Sequence, residues 1–362
     1  MTMTTVLRFL PAWLWLVCLL TADGALGASA VDCKASLPSE IRWIVPNTTG
    51  SNYDLYSRVL EPYLEDALET RIVINNVPGA GGRLGAVTIA DASSDGSVLG
   101  IVNGVSLLAN QLVGSSKNLP TIGSFQVLYR INRVGHVWVV ANGSGLETIT
   151  KILEAGRSVP IVVATRDVSS SSFYSLAIGA GLLGLPIEVV AGYASNREAR
   201  LALLRGEVDL ASTNFESGVE GMLESEELKA VLQISSHPLA QHPSLADVPM
   251  IAGDNGILAS TRYSASDDPE TRALGASVLT RFLGAGQLIV GPRNLDTGVR
   301  ACIEQALHSI VPSSSLRDAL QKIGLSVDSA PAPVVESELE QVLEASAVLS
   351  SAILEQLERL RR

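Results

Sequence analysis

The chain has 362 residues, a formal net charge of −11, four histidines and three cysteines. This acidic balance argues against a nucleic-acid partner and against an anionic membrane surface, because both repel a negatively charged protein. The length exceeds what one hydrophobic core normally organises, so two lobes are expected.

The first thirty residues are typical of a secretory signal peptide. Arg8 supplies a basic start, residues 9–20 form an apolar run that is too short to span a bilayer, and residues 28–30 form a small-residue cleavage site. Residues 1–30 are therefore expected to be removed on export, and the mature protein is expected in the periplasm.

Two cysteines, Cys33 and Cys302, remain after this removal. An even pair in an oxidising compartment is compatible with a disulfide. Two isolated buried thiols are the alternative, and sequence spacing leaves both open because it does not show proximity.

Two strand–loop–helix units follow near the start of the mature chain. They comprise strands 41–46 and 71–76, loops 47–54 and 77–83, and helices 55–68 and 84–92. A helix start leaves about four backbone N–H groups unpaired and carries partial positive charge. The glycines in the loops let a ligand approach that backbone closely. Two such loops that face one crevice would hold a carboxylate or a phosphate.

The rest of the chain alternates strand-like and helix-like segments, which predicts an α/β fold with parallel or mixed sheets flanked by helices. Strands are predicted at 97–103, 131–141 and 159–165, and helices at 170–183, 196–204, 274–283 and 336–360. A proline-containing connector at 330–333 precedes the last helix. The apolar stripe of that helix indicates packing across a lobe rather than a coiled coil.

The sequence lacks the usual signs of catalytic chemistry. It has no G-x-S-x-G, H-E-x-x-H or P-loop motif, and His237 and His242 flank Pro238 at a spacing that suits metal binding poorly. The glycines at 79, 81 and 85 miss the spacing of a dinucleotide fingerprint. No cofactor, no metal and no enzyme activity are therefore expected.

Several blocks in order carry a family resemblance. They are Val45-Pro46 to Asp54-Leu55, Asn75 to Ala86 with its Pro-Gly-Ala-Gly-Gly core, Asp95 to Leu99, Leu204 to Leu210, and Leu245 to Pro249. Together they resemble the substrate-binding proteins of tripartite tricarboxylate transporters, the Bug or TctC family, over most of residues 40–250. The first loop departs from the family pattern, since Asn47, Thr48 and Thr49 replace its prolines.

The resemblance implies a two-lobed, type II-like periplasmic binding protein with a hinge between its lobes. Lobe one would comprise residues 31–135 plus 250–362, and lobe two residues 136–249. The protein would be a monomer that captures a small organic carboxylate and delivers it to the membrane permease subunits of a tripartite transporter. Two alternatives stay open: a periplasmic α/β enzyme (a hydrolase or transferase), and a ligand receptor for a sensor kinase.

The resemblance also implies ligand-binding residues from both lobes. They are Thr48, Thr49, Gly50, Ser51, Asn52 and Asp54 in the first loop, Pro78, Gly79, Ala80, Gly81, Gly82 and Arg83 in the second, and Ser169, Ser170, Ser171 and Asn214 in lobe two. Arg166 lies just before these serines and is a further candidate from its own chemistry. An arginine can hold a carboxylate through two parallel hydrogen bonds, so Arg83 and Arg166 suit this role. Solvated rim charges are the alternative for both arginines, and an ordinary loop position is the alternative for Asn214.

Overall fold

The computed structural model describes residues 33–113, 119–133, 135–193, 195–215, 219–235, 237–239, 243–260 and 266–345. The expected signal peptide lies outside the described residues. Among the helices of the described ranges, none is long and apolar enough to cross a membrane.

A six-stranded mixed sheet organises the first lobe. Its strands are β1 (Glu40–Val45), β2 (Arg71–Asn76), β3 (Val98–Asn103), β4 (Phe125–Asn132), β10 (Gln287–Pro292) and β11 (Ala330–Pro331). They lie in the order β11-β4-β10-β3-β1-β2. Strand β1 pairs in parallel with β2 and β3, whereas β10 is antiparallel to β3 and β4. The carboxyl ends of β1 and β2 therefore meet at one edge, where both predicted loops begin.

A five-stranded mixed sheet organises the second lobe. Its strands are β5 (His136–Ala141), β6 (Ile161–Thr165), β7 (Ile187–Ala191), β8 (Leu210–Asn214) and β9 (Leu228–Ile234), in the order β7-β6-β8-β5-β9. Strand β6 is parallel to β7 and β8, and β5 is antiparallel to β8 and β9. Because β6 and β8 are parallel, the residues that follow them emerge at the same edge.

Helices flank both sheets. They are α1 (Cys33–Ser36), α2 (Asn52–Leu68), α3 (Arg83–Ala90), α4 (Gly104–Val113), α5 (Ile149–Ala155), α6 (Ser171–Leu183), α7 (Asn196–Leu204), α8 (Glu220–Glu224), α9 (Pro269–Gly284), α10 (Thr297–Ile310), α11 (Ser314–Gln321) and α12 (Ala332–Glu344). On one face of the first sheet, α2 and α10 cover a core that includes Trp43, Leu60 and Leu307. The indole N–H of Trp43 donates to Ser57 Oγ of α2 at 3.0 Å, which satisfies that buried polar group.

The prediction of a single strand at 131–141 is wrong. Strand β4 ends at Asn132 and β5 begins at His136, and the two strands belong to different sheets. The β-branched residues on both sides conceal the break because they favour extended structure equally well. Gly135 lies in the crossing, where an added Cβ would meet Leu239 Cδ2 at 2.5 Å.

The C-terminal segment also differs from the prediction. Residues 330–331 form β11 rather than a connector, and α12 begins at Ala332 with Pro333 in its first turn, where the missing N–H of proline costs nothing. Val335, Leu339 and Val342 are buried, so the described part of this helix packs onto the lobe as expected. The remainder of the helix predicted to residue 360 lies outside the described residues.

The strands of the first sheet come from residues 40–132 and 287–331, those of the second sheet come from residues 136–234, and α9 packs against α6. Phe282 of α9 meets Tyr174 of α6 edge to face, with ring centroids 5.6 Å apart. Gly275 of α9 approaches Leu182 of α6 so closely that a Cβ would lie 2.6 Å from its Cδ2. The boundaries at 135/136 and 249/250 therefore remain a prediction.

The N-terminal end of the described chain is fixed to the first lobe. Cys33 of α1 and Cys302 of α10 form a disulfide, with 5.5 Å between their Cα atoms. Cys302 is 1% exposed, so the bond lies against the core of the lobe.

Candidate functional site

A cavity of about 520 Å³ lies between the two sheets, where the loops after β1, β2, β6 and β8 converge. Most of the residues predicted to bind the ligand line it. They are Gly50, Ser51, Asn52, Ala80, Gly81, Gly82, Arg83, Arg166, Ser169, Ser170, Ser171 and Asn214. The structure thus brings residues from both lobes to one cavity.

The remaining predicted residues, Thr48, Thr49, Asp54, Pro78 and Gly79, are not among the lining residues. Asp54 is 1% exposed, and its carboxylate accepts hydrogen bonds from Gly50 N at 2.8 Å, Arg58 Nε at 2.9 Å and Asn76 Nδ2 at 2.9 Å. Burial alone would raise the pKa of Asp54, but these hydrogen bonds outweigh it and the pKa is lowered. Asp54 therefore holds the first loop in its conformation and does not face the cavity.

The second loop has an unusual backbone. Gly79, Ala80, Gly81 and Gly82 all have positive φ, between 49° and 134°. Glycine adopts this region at little cost, and only Ala80 carries the strain of a side chain there. Close packing requires glycine at position 85 as well, because a Cβ there would lie 2.7 Å from Pro46 Cα at the start of the first loop. The glycine-rich sequence thus lets the two loops pack side by side and expose backbone to the cavity.

The start of α6 supplies the wall from the second lobe. Ser170 caps the helix, since its hydroxyl accepts from Phe173 N at 3.2 Å. Asp167 accepts from the backbone N–H and the hydroxyl of Ser169 at 2.9 and 2.5 Å, and from Arg166 Nε at 2.6 Å. Burial would raise the pKa of Asp167, but the hydrogen bonds from Ser169 and the charge of Arg166 lower it overall. Asp167 therefore remains ionised and holds both neighbours in position.

The two lobes touch directly at the cavity. Ser106 Oγ of α4 donates to the carbonyl oxygen of Ser169 at 2.8 Å. A Cβ added to Gly81 would lie 2.7 Å from Ser169 Oγ. The second loop and the start of α6 therefore approach each other closely across the cavity.

Sequence reasoning missed two arginines. Arg197 and Arg200, in the first two turns of α7, line the cavity together with Arg83 and Arg166. Arg200 is 4% exposed, whereas Arg83 and Arg197 are exposed. Their spacing after the Ser195 cap was the available signal, because residues three apart share one helix face.

Polar groups without charge complete the lining. Tyr53 lies near Arg166: burial raises the pKa of its phenol, and the charge of Arg166 partly opposes this. Gln287 is 2% exposed, and the side-chain oxygens of Gln287 and Asn214 are buried and have no hydrogen-bond partner among the described residues. Tyr53 lies within the first loop but was not among the ligand-binding residues predicted there, and Gln287 was not predicted either.

The cavity offers no evident acid–base chemistry. No histidine, aspartate or glutamate is among its described lining residues. His136 lies beneath the site and is fully buried beside Ser212, and burial lowers its pKa to about 4. The described residues contain no group of three or more histidine, cysteine or carboxylate side chains that could hold a metal.

A second cavity of about 1070 Å³ is larger but differs in charge. It is lined by Arg133, Arg272 and Arg281 together with acidic residues such as Asp328 and Glu338, and by none of the predicted ligand-binding residues. Its mixed charge does not select an anion. The smaller cavity is therefore the better candidate for the functional site.

Comparison with known proteins connects this geometry to a family. The model of the family described as "TctC: Tripartite tricarboxylate transporter family receptor" matches residues 56–264. Among solved structures, MatC from Rhodopseudomonas palustris with bound malate is 19% identical, with a TM-score of 0.64 over 86% of this chain and 100% of that chain.

Two further structures agree. Rpa4515 from R. palustris with adipate is 18% identical, with a TM-score of 0.63 over 86% of this chain and 98% of that chain. The periplasmic binding protein BugD is also 18% identical, with a TM-score of 0.63 over 86% of this chain and 97% of that chain. At this level of identity, the likeness establishes the two-lobed α/β fold of periplasmic binding proteins.

Proposed function

The chain belongs to the TctC family of tripartite tricarboxylate transporter receptors, which are solute-binding proteins, and from this premise we propose that it captures a small organic carboxylate between its lobes. In this proposal the protein is exported to the periplasm by its N-terminal signal peptide. It delivers the ligand to the permease subunits of a tripartite transporter.

One observation carries the proposal. Four arginines, Arg83, Arg166, Arg197 and Arg200, line the cavity, and no carboxylate is among its described lining residues. The whole chain has a net charge of −11, so this cluster runs against the overall balance. A cleft that concentrates one sign of charge attracts ligands of the opposite sign.

The uncharged groups support the same ligand class. The starts of α2 and α6 lie at the cavity, where Ser51, Asn52, Ser171 and Ser172 line it, and each helix start carries backbone N–H groups. Such N–H groups and hydroxyls hold carboxylate oxygens well. Malate and adipate, the ligands of the two R. palustris neighbours, are both dicarboxylates, and a cavity of about 520 Å³ has room for acids of that size.

The ligand would be enclosed by movement of the lobes. The chain crosses between the sheets at residues 132–136, which provides a hinge. The contact of Ser106 with Ser169 and the approach of Gly81 to Ser169 would then belong to the closed form. No bond is made or broken in this function.

The test is to identify the ligand directly. Native mass spectrometry of the mature protein, as purified from the periplasm, should show a bound mass that corresponds to an organic acid. A thermal-shift panel should then show stabilisation by carboxylates, since a ligand at about a hundred times its dissociation constant adds roughly 2.7 kcal/mol. Stabilisation by nucleotides or sugars, with no response to a wide panel of carboxylates, would contradict the proposal.

A further inference from the structure

The larger cavity, of about 1070 Å³, is a hinge-side cavity, since Arg133 and Gly135 of the crossing between the sheets line it. One face of α9, from Pro269 to Gly284, forms a wall of this cavity. The lining residues on α9 are three or four positions apart, so they share that face of the helix. At 1.5 Å per residue, the wall is about 22 Å long. The hinge-side cavity therefore suits an extended molecule.

Three backbone segments connect β9 to α9 beside this cavity. Ile251 N donates to Gln233 O at 2.8 Å, and Leu258 N donates to Ile251 O at 3.3 Å. Arg272 Nε of α9 then donates to Leu258 O at 3.2 Å. The lining side chains of Ile234, Ile251 and Leu258 are apolar and at most 3% exposed. They provide an apolar floor, against which an aliphatic body would leave water.

Two buried polar side chains line the same cavity. Arg272 is 7% exposed, and its Nη1 donates to the carbonyl oxygens of Ser266 at 3.3 Å and Asp267 at 2.7 Å. Its Nη2 has no hydrogen-bond partner among the described residues. Ser235 is 9% exposed, and its Oγ likewise has no partner in the described part of the chain. A ligand with hydrogen-bond-accepting oxygens would satisfy both groups.

Arg272 has no ion-pair partner among the described carboxylates. Asp268 lies nearby, but it is exposed and accepts from Thr271 N at 2.9 Å. Hydrogen bonds from Thr271 are the main cause that lowers the pKa of Asp268, and the charge of Arg272 is a smaller one. A buried guanidinium that binds only carbonyl groups gains from an anionic partner, because charge-assisted hydrogen bonds are the stronger kind.

The acidic residues of the lining are engaged or exposed. Glu338 accepts from Arg133 Nη2 at 2.9 Å, and Asp328 lies 3.5 Å from Arg133 Nε. Asp254 is exposed. The charges of the cavity are therefore mixed overall and do not select a small anion. An anionic head joined to an apolar body can use the floor and the free Nη2 together.

We propose that the hinge-side cavity is a second ligand site, which binds an amphipathic anion with an apolar body along the floor and a single anionic head at Arg272 and Ser235. The site is separate from the smaller cavity between the sheets and does not depend on the proposed function. Because Arg133 and Gly135 line it, its ligand would also contact the crossing between the lobes.

The experiment uses alkyl sulfonates, which carry the head charge without a carboxylate. Calorimetry of the mature protein compares octanesulfonate, below the concentration at which it forms micelles, with butanesulfonate and with the neutral octanesulfonamide. Each buried CH₂ group is worth about fourfold in affinity, so octanesulfonate should bind at least roughly tenfold more tightly than butanesulfonate. It should also bind roughly tenfold more tightly than octanesulfonamide, because only the sulfonate makes a charge-assisted contact.

Two neighbouring positions on α9 provide the matched variants. Ala273 is exposed and lines the cavity, so Ala273→Trp should fill it and weaken octanesulfonate binding by roughly tenfold or more. Leu274 is 47% exposed and is not among the lining residues. Leu274→Trp should therefore keep the affinity within about threefold, as expected for a surface substitution. Arg272→Met should abolish the preference for the sulfonate over the sulfonamide.

Several results would overturn the second site. They are no binding of octanesulfonate, equal affinity for octanesulfonate and butanesulfonate, and undiminished binding in Ala273→Trp. An equal loss in Leu274→Trp would assign the effect to the helix instead of the cavity and would overturn it as well. A folded Arg272→Met that keeps the preference for the sulfonate would overturn the assignment of the head. If Arg272→Met fails to fold, the sulfonamide comparison in the wild type and the exposed Ala273→Trp decide the matter.

Discussion

The Gly81→Ala substitution should weaken ligand binding while the protein still folds. Gly81 has φ of 67° and faces Ser169 across the lobe boundary, where a Cβ would lie 2.7 Å from Ser169 Oγ. In Gly81→Ala, the hydroxyl of Ser169 must therefore turn away whenever the lobes are in contact. That rotation breaks its 2.5 Å hydrogen bond to the carboxylate of Asp167.

The expected magnitude has two parts. Placing alanine in a left-handed backbone conformation costs roughly 1–2 kcal/mol, and this cost is the same whether the lobes are open or closed. Loss of a hydrogen bond to a charged group costs about 1.5–3 kcal/mol, and here it falls on the closed form alone. Because each 1.4 kcal/mol is tenfold in affinity, ligand binding should weaken by roughly ten- to hundredfold.

A matched glycine provides the control. Gly206 has φ of 69° and no atom within 4 Å of an added Cβ, so Gly206→Ala carries the same backbone strain without the clash. Urea denaturation should give similar losses of unfolding free energy for both variants, whereas calorimetry with the ligand should show weakened binding only for Gly81→Ala. Equal affinity in the two folded variants would refute the assignment of the second loop to the site.

Three further predictions concern charge and the disulfide. Arg166→Ala should weaken carboxylate binding by roughly ten- to hundredfold in calorimetry, and unchanged affinity would demote Arg166 to a rim charge. The pKa of Asp54 is lowered in the folded protein, so its stabilising contribution is complete above the unfolded value of about 3.9 and is lost as pH falls below that value through the folded pKa. The free energy of unfolding should therefore fall more steeply below about pH 4 in the wild type than in Asp54→Asn, and parallel profiles would contradict this account. Thiol labelling of denatured, unreduced, exported protein should find no free thiol at Cys33 or Cys302, and removing both cysteines should cost about 2–5 kcal/mol; two reactive thiols would rule the bridge out.

The sequence was most informative about the two early loops. Three of the four residues 79–82 are glycines, from which close approach of a ligand to the backbone is predicted, and the structure shows positive φ at all four, including Ala80. The strand–loop–helix order also places both loops at one edge of the sheet, because parallel strands share their carboxyl ends. These features depend on local sequence, which is why they could be recognised.

Other features depend on packing and could not be recognised. Strands β4 and β5 both consist largely of residues that favour extended structure, so the break between them is evident only from the assignment of the two strands to different sheets. Asp54 appeared to be a ligand contact, yet the hydrogen bond from Arg58, one helical turn later, turns its carboxylate toward the protein. In the sequence, Arg200 looks like an ordinary helix residue. In the structure, its hydrogen bond to Thr213 of β8 fixes it beside the cavity.

The proposed function requires this cavity to bind an organic carboxylate through its charge. Isothermal titration calorimetry of the mature wild-type protein can measure this with succinate, malate and adipate, each beside its neutral diamide of the same shape. We expect at least one diacid to bind, its affinity to fall as salt is added, and its diamide not to bind. Binding of a diamide as tightly as its diacid, or no binding of any diacid, would contradict the account.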